Sequence, residues 1–161
     1  MYNDKYVQKW RLVKMMMDKT IGSASVRVSK KITRIVNHHL KPYQITTEQW
    51  VVLRTLKESN LISQKELSIR TDKDQATLTK ILDLLEKREA LKRVPNPSDR
   101  RSFLVEITPK GEDLVVNLTS YIEDIFKNIV TGIESEKLEA FQEVLGSMEK
   151  NIEKLLADSS N

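Results

Sequence analysis

Residues 95–111, PNPSDRRSFLVEITPKG, restrict the fold more than any other stretch of this 161-residue chain. Pro95 and Pro97 bracket Asn96 and stiffen the backbone around it. Asp99, Arg100 and Arg101 follow. Phe103, Val105 and Ile107 then alternate with Leu104, Glu106 and Thr108, which is the period-two pattern of a strand. Leu91-Lys92-Arg93-Val94 supplies a short partner strand. The segment between them, Pro95–Ser102, is too long for a two-residue turn and rich in Pro, Asn and Asp, so a β-hairpin with an extended tip is expected. Phe103, Val105 and Ile107 should anchor the return strand. Thr108-Pro109 opens a helix, with Thr at the cap and Pro at the first helical position.

The remainder of the chain reads as helix. Only 4 Gly and 4 Pro are present, and Leu, Lys, Glu and Ile are plentiful. Residues 6–40 place Trp10, Val13, Met17, Ile21, Ala24, Val28, Ile32, Ile35 and His39 at steps of three and four. That spacing predicts a long amphipathic helix, bent near Gly22-Ser23 and ended by Pro42. Thr46 and Gln49 stand in capping-box register for a helix reaching about Ser59, with Trp50, Val51, Leu53 and Leu56 inward. Ser63-x-x-Glu66 opens a short helix, Ser63–Arg70. Thr71-Asp72-Lys73 is a turn, and a second helix, Asp74–Arg88, buries Leu78, Ile81, Leu82 and Leu85. Two short helices joined by such a turn form a helix-turn-helix. The helix from Pro109 should end near Thr131-Gly132, with Leu114, Leu118, Tyr121, Ile122, Ile125 and Ile129 on its apolar face. A last helix from Ser135 carries Leu138, Phe141, Leu145, Met148, Ile152 and Leu155, an a/d seam suited to a helical dimer interface. The fold class is mainly α with a small β-hairpin wing.

Composition removes several kinds of function. The chain has no cysteine, which excludes disulfides and thiolate metal sites. No apolar run approaches the ~20 residues that span a bilayer, and the polar start MYNDKYVQKW lacks a signal-peptide core. A cytoplasmic protein without membrane attachment is expected. Charge is uneven: net +8 over residues 1–60, +3 over 61–101 and −7 over 102–161. A nucleic-acid face gives this asymmetry, and so does a basic helix packed on an acidic one. There is no phosphate-binding glycine loop. His38 and His39 point about 100° apart on a helix and have no further His or Cys to complete a metal site. Neither an enzyme nor a cofactor or metal is expected.

Three segments together, ITTEQWVVLRTL (45–56), DQATLTKILDLLEKR (74–88) and NPSDRRSFLVEITPKG (96–111), resemble the MarR family of bacterial transcriptional regulators. With the flanking helices the resemblance covers nearly the whole chain. It implies a winged helix-turn-helix lobe at 41–108 between an N-terminal dimerisation helix (1–40) and C-terminal helices that complete the dimer (109–161). It implies an obligate homodimer on double-stranded DNA, with Asp74–Arg88 in the major groove and the wing tip Asn96–Arg101 in the adjacent minor groove. Arg101 would contact DNA and Asp99 would orient it. A small aromatic or phenolic effector is a further expectation, with Met17, Tyr43 and Trp50 as candidate lining; packing in the core or dimer seam is the default role of these three residues. One position departs from the family pattern: Glu89 stands where a glycine usually takes a left-handed turn, a conformation that costs a non-glycine residue roughly 1 kcal/mol.

The residue chemistry accords with that reading. Arginine suits a narrow minor groove because its weakly hydrated guanidinium enters a strongly negative region. Arg101 is favoured there, with Arg100 nearer phosphate. A solvated hairpin tip with a local Asp–Arg pair is the plainer alternative. Gln75, Ala76, Thr77, Thr79 and Lys80 are candidates for the DNA-facing side, since Gln bonds adenine and Thr bonds a base edge or meets the thymine methyl. Thr79 is equally well explained as a hydroxyl bonded to its own helix, and Asp74 as a cap. Lys73 and Lys80 suit phosphate, as do Ser63 and Gln64 at the preceding helix start. The competing functions are a helical-dimer protein-interaction module and a metal-responsive regulator of the same fold.

Overall fold

The computed structural model describes Arg11, residues 21–99 and residues 101–159. The turns expected before Ile21, the candidate Met17 and the candidate Arg100 lie outside the described residues. The elements are α1 (Ile21–Leu40), α2 (Thr47–Glu58), β1 (Ile62–Ser63), α3 (Gln64–Arg70), α4 (Gln75–Lys87), β2 (Leu91–Pro95), β3 (Phe103–Ile107), α5 (Pro109–Ile129) and α6 (Ser135–Asp158). The described residues up to Ile122 form one compact unit and those from Glu123 a second.

Helix α1 stops at Leu40, and a single 3-10 turn, Lys41–Tyr43, carries Pro42 near its start. Gln44 then takes a left-handed conformation, φ 54°, which reverses the chain into α2. Asn37 ties the two helices together: its Oδ1 accepts from the Thr47 amide at 2.8 Å and from Thr47 Oγ1 at 3.0 Å. Val36 and Leu40 are the buried residues of α1. The stripe read from the sequence is a different one, because Ile21, Val28 and Ile35, spaced by seven, stand exposed in the single chain.

The start of α2 is the expected capping box. Thr46 Oγ1 accepts from the Gln49 amide at 3.2 Å, and Gln49 Oε1 accepts from the Thr46 amide at 3.0 Å. Its buried apolar face is Trp50, Val52, Leu53 and Leu56. Val51, expected inward, is half-buried, because positions 49, 52, 53 and 56 share one face of a 3.6-residue helix. At α3, Ser63 accepts from the Glu66 amide at 3.1 Å. The reciprocal half of that box is missing, since Glu66 instead accepts from Arg70 Nε at 2.8 Å. Leu67 of α3 and Leu78, Ile81, Leu82 and Leu85 of α4 are buried, as the helix-turn-helix reading requires.

The sheet has three antiparallel strands in the order β1-β3-β2. The two-residue β1 was not foreseen, because two residues carry no period. The hairpin register pairs Leu91 with Ile107, Arg93 with Val105 and Pro95 with Phe103. Val105 and Ile107 are buried as expected, but Phe103 is 56% exposed. It sits at the far end of the hairpin beside Pro95, where no layer covers the sheet.

Helix α4 ends in a Schellman motif. The Glu89 amide donates to Glu86 O at 2.8 Å and the Ala90 amide to Leu85 O at 3.0 Å. Glu89 is left-handed, φ 60°, as its place in the family pattern implied. The Thr108 amide then donates to Ala90 O at 3.1 Å and Thr108 Oγ1 to Glu89 O at 2.6 Å. Gly111 lies so near this turn that a Cβ there would fall 2.0 Å from Ala90 O. On α5, Val115, Leu118, Ile122 and Ile125 are buried. Leu118, Ile122 and Ile125 lie on the expected face, but Leu114 is half-buried with Val115 inward in its place, and Tyr121 and Ile129 are exposed. In the second unit, α6 begins at Ser135 as expected and leaves Phe141, Leu145, Met148, Ile152 and Leu155 exposed.

Candidate nucleic-acid interface

The first turns of α4 present Gln75, Ala76, Thr77 and Lys80 to solvent. Asp74 sets that helix start. Its Oδ1 accepts from the Thr77 amide at 2.8 Å and its Oδ2 from Thr77 Oγ1 at 2.6 Å. The Thr77 hydroxyl bond, followed by the Thr77 amide, holds the Asp74 carboxyl below its ordinary value. Asp74 is thus a cap. Thr77 gives its proton to Asp74 and keeps its lone pairs and methyl for the outer face.

Thr79 is half-buried and donates to Gln75 O at 2.7 Å, within its own helix. It also accepts from Gln64 Nε2 at 2.8 Å, and the same nitrogen lies 3.2 Å from Gln75 Oε1. Gln64 therefore braces α4 from α3. Ser63 serves two elements, as cap of α3 and as a residue of β1 paired with Leu104. Lys73 is drawn back from the outer face: its ammonium pairs with Glu48 of α2, and its side chain is 13% exposed. Glu48 is a partner that the sequence reading missed.

The hairpin tip is organised by its own polar groups. Asn96 Oδ1 accepts from the Ser98 amide at 3.0 Å, and Asn96 Nδ2 donates to Ser102 Oγ at 2.9 Å. The Ser102 amide donates to Asp99 O at 3.0 Å. Asp99 Oδ1 accepts from the Arg101 backbone amide at 3.0 Å. The carboxylate thus holds Arg101 through its backbone and leaves the exposed side chain to project.

Arg93 was read only as a strand residue, yet it joins the hairpin to α4. Its amide donates to Glu86 Oε1 at 2.9 Å, its Nη1 to Glu86 Oε2 at 2.5 Å and its Nη2 to Asp83 Oδ1 at 2.7 Å. Burial, the largest influence on this guanidinium, acts to lower its pKa. The hydrogen bonds to Asp83 and Glu86 and their charges outweigh it and raise the value. The i, i+3 carboxylates on α4 were the available sequence signal.

The two described candidate effector residues differ in exposure. Tyr43 is exposed, with its ring 6.1 Å from that of Tyr121. Tyr121 Oη lies 2.7 Å from His39 Nδ1. Trp50 is 7% exposed, and its indole nitrogen has no hydrogen-bond partner among the described residues. Arg54 lies over the Trp50 ring at 5.1 Å. His38 and His39 meet edge to face at 5.7 Å. Among the described residues, no helix is long and apolar enough to cross a membrane.

A lobe of capped helix-turn-helix, three-stranded sheet and projecting hairpin is a winged helix. Residues 45–103 match the MarR family model. Among solved structures, the chain is similar to BpsR of Bordetella bronchiseptica, described in terms of the regulation of its DNA binding by 6-hydroxynicotinic acid. Identity is 27% over 81% of this chain and 99% of that one, with a TM-score of 0.75. A cysteine-to-serine variant of MarR from E. coli, complexed with operator DNA, is 25% identical over 83% of this chain and 96% of that one, with a TM-score of 0.77. MepR of S. aureus, solved as a DNA complex, is 22% identical over 81% of this chain and 98% of that one and shares the fold with a TM-score of 0.75. The chain thus carries a MarR-type domain over residues 45–103, and the solved structures it is similar to include MarR-family winged-helix regulators.

Proposed function

We propose that the protein is a homodimeric repressor that binds a near-palindromic operator with one recognition helix, α4, and one wing, Asn96–Arg101, per subunit. The observation that carries this reading is the pairing of an outward polar face on α4 with an arginine-bearing tip held by Asp99 on one folded lobe. Gln75, Ala76, Thr77 and Lys80 meet the major groove. Arg101 enters the minor groove, with Arg100 nearer phosphate. Gln64 and Thr79 act from behind by fixing α4, and Ser63 by capping α3. Lys73 reaches phosphate only by leaving Glu48. The operator complex of the E. coli relative supports the assignment.

Residues 1–40 and 109–161 form the dimerisation region. The support is the apolar face that α6 leaves open, together with Ile21, Val28 and Ile35 on α1. Two lobes related by a twofold axis read half-sites about 10 bp apart. A small aromatic effector, lodged among Met17, Tyr43 and Trp50, releases the DNA. The exposed Tyr43–Tyr121 pair and the regulation of the Bordetella relative by 6-hydroxynicotinic acid support that element.

Selection of duplexes from a random pool by the purified protein tests the reading, and enrichment of a palindromic motif is expected. Arg101→Ala should then lose at least ~1 kcal/mol of affinity for the selected duplex while remaining dimeric. Unchanged affinity would remove the wing from the interface.

A further inference from the structure

We propose that Arg93 is a positioning residue that locks the wing to the recognition helix, with Asp83 and Glu86 as its two anchors on α4. The lock itself stands on geometry. Its consequence for binding rests on the DNA-binding reading above.

Arg93 lies on β2 opposite Val105, and its side chain crosses to α4. It is held at both ends. The backbone amide donates to one Glu86 oxygen at 2.9 Å, and the guanidinium donates to the other at 2.5 Å. The second arm of the guanidinium reaches Asp83, one helical turn earlier, at 2.7 Å. The Arg93 side chain is 21% exposed, so these bonds are shielded more than those of an open surface pair. Only the planar fork of arginine serves two carboxylates in this way, since a lysine ammonium is a point charge on a flexible stem. Beyond this crossing point the hairpin runs out to exposed Phe103 and the Asn96–Arg101 tip. A change in tilt at Arg93 is therefore carried to Arg101.

The anchors also present a contradiction that the lock resolves. Asp83 and Glu86 place two negative charges on the helix that approaches phosphates, while Arg93 supplies one positive charge. On charge alone, neutralising the two carboxylates strengthens DNA binding. If the carboxylates instead hold the wing, neutralising them weakens it. The sign of the effect separates the two.

The test has two arms. The chain has no cysteine, so Lys80→Cys with Ser98→Cys gives two unique spin-label sites, one on α4 and one at the wing tip. Excess unlabelled protein keeps one labelled subunit per dimer. In pulsed dipolar spectroscopy without DNA, Asp83→Asn with Glu86→Gln should broaden the distance distribution. An unchanged distribution overturns the lock. In the second arm, the unlabelled double variant should bind the duplex selected by the wild type at least fivefold more weakly at fixed salt. In an Arg101→Ala background the same pair should cost little more. Equal or tighter binding, or full additivity with Arg101→Ala, overturns the positioning role. Should the double variant not fold, Asp83→Asn alone, which keeps the Glu86 grip, is judged by the same criteria. If the wild type selects no duplex, the DNA-binding reading fails, and the distance arm still decides the lock.

Discussion

Glu89 holds a left-handed backbone, φ 60°, at the close of α4. A glycine there takes that conformation without the Cβ penalty, although it loses more chain entropy on folding. The Glu89–Lys110 pair, 3.1 Å apart and well exposed, offers little in compensation. Glu89→Gly should therefore stabilise the protein by roughly 0.5–1 kcal/mol and raise the melting temperature by about 2–4 °C at fixed protein concentration. A lower melting temperature would show that the Schellman turn carries no strain. At this scale, caps were legible in the sequence because a cap is local: Thr46, Ser63 and Asp74 each bond an amide three residues ahead. Lys73 was not legible in the same way, because Glu48, its partner, is 25 residues away.

Helix α4 depends on elements at both of its ends. At its start, the charged form of Asp74 accepts the Thr77 bonds and its pKa is depressed. A depressed carboxyl contributes stability that is present above its unfolded value, near 3.8, and is lost as pH falls through the lower folded value. Amide exchange at Thr77, taken relative to its intrinsic rate at each pH, should thus be flat from neutral pH down to about pH 4 and accelerate below it. In Asp74→Asn, which caps without titrating, that acceleration should vanish. At the other end, Gly111 admits the Ala90 carbonyl where a Cβ cannot fit. Gly111→Ala should cost about 1–3 kcal/mol, read from urea denaturation, because either α5 or the α4–β2 turn must move. The sequence placed both helices correctly. It did not reveal that the glycine of TPKG is required by a carbonyl 21 residues earlier.

At the scale of the whole molecule, α1 and α6 each leave an apolar face open in the single chain. Large exposed patches of this kind mark interaction surfaces. Leu145→Glu with Ile152→Glu should shift the protein from dimer to monomer in sedimentation equilibrium, with loss of operator affinity even though both residues lie outside the winged lobe. A dimer that survives both substitutions would move the interface elsewhere. The proposed dimer also predicts the salt response. If both lobes together neutralise about 6–10 phosphates, operator affinity should fall by roughly 10³–10⁵ between 50 and 200 mM salt. A shallow dependence would mean that the basic residues near the wing do not meet the DNA backbone.

The sequence alone determined whatever depends on short range. Periodicity placed α2, α4 and the hairpin strands, proline and threonine marked helix boundaries, and PNPSDRR announced a polar tip with arginine at its end. Its reading of inward faces was less accurate, because periodicity defines a stripe but not the neighbour that covers it. Val51 gave way to Val52, Leu114 to Val115, and Phe103 lies where the covering layer has ended. The tertiary structure decided which polar groups are already engaged. Lys73 is neutralised by Glu48, Thr79 is bonded to Gln64 and its own helix, and Arg93 is fixed between Asp83 and Glu86. Such pairings follow from distances between segments far apart in the chain, and side-chain spacing along one helix or strand carries no record of them.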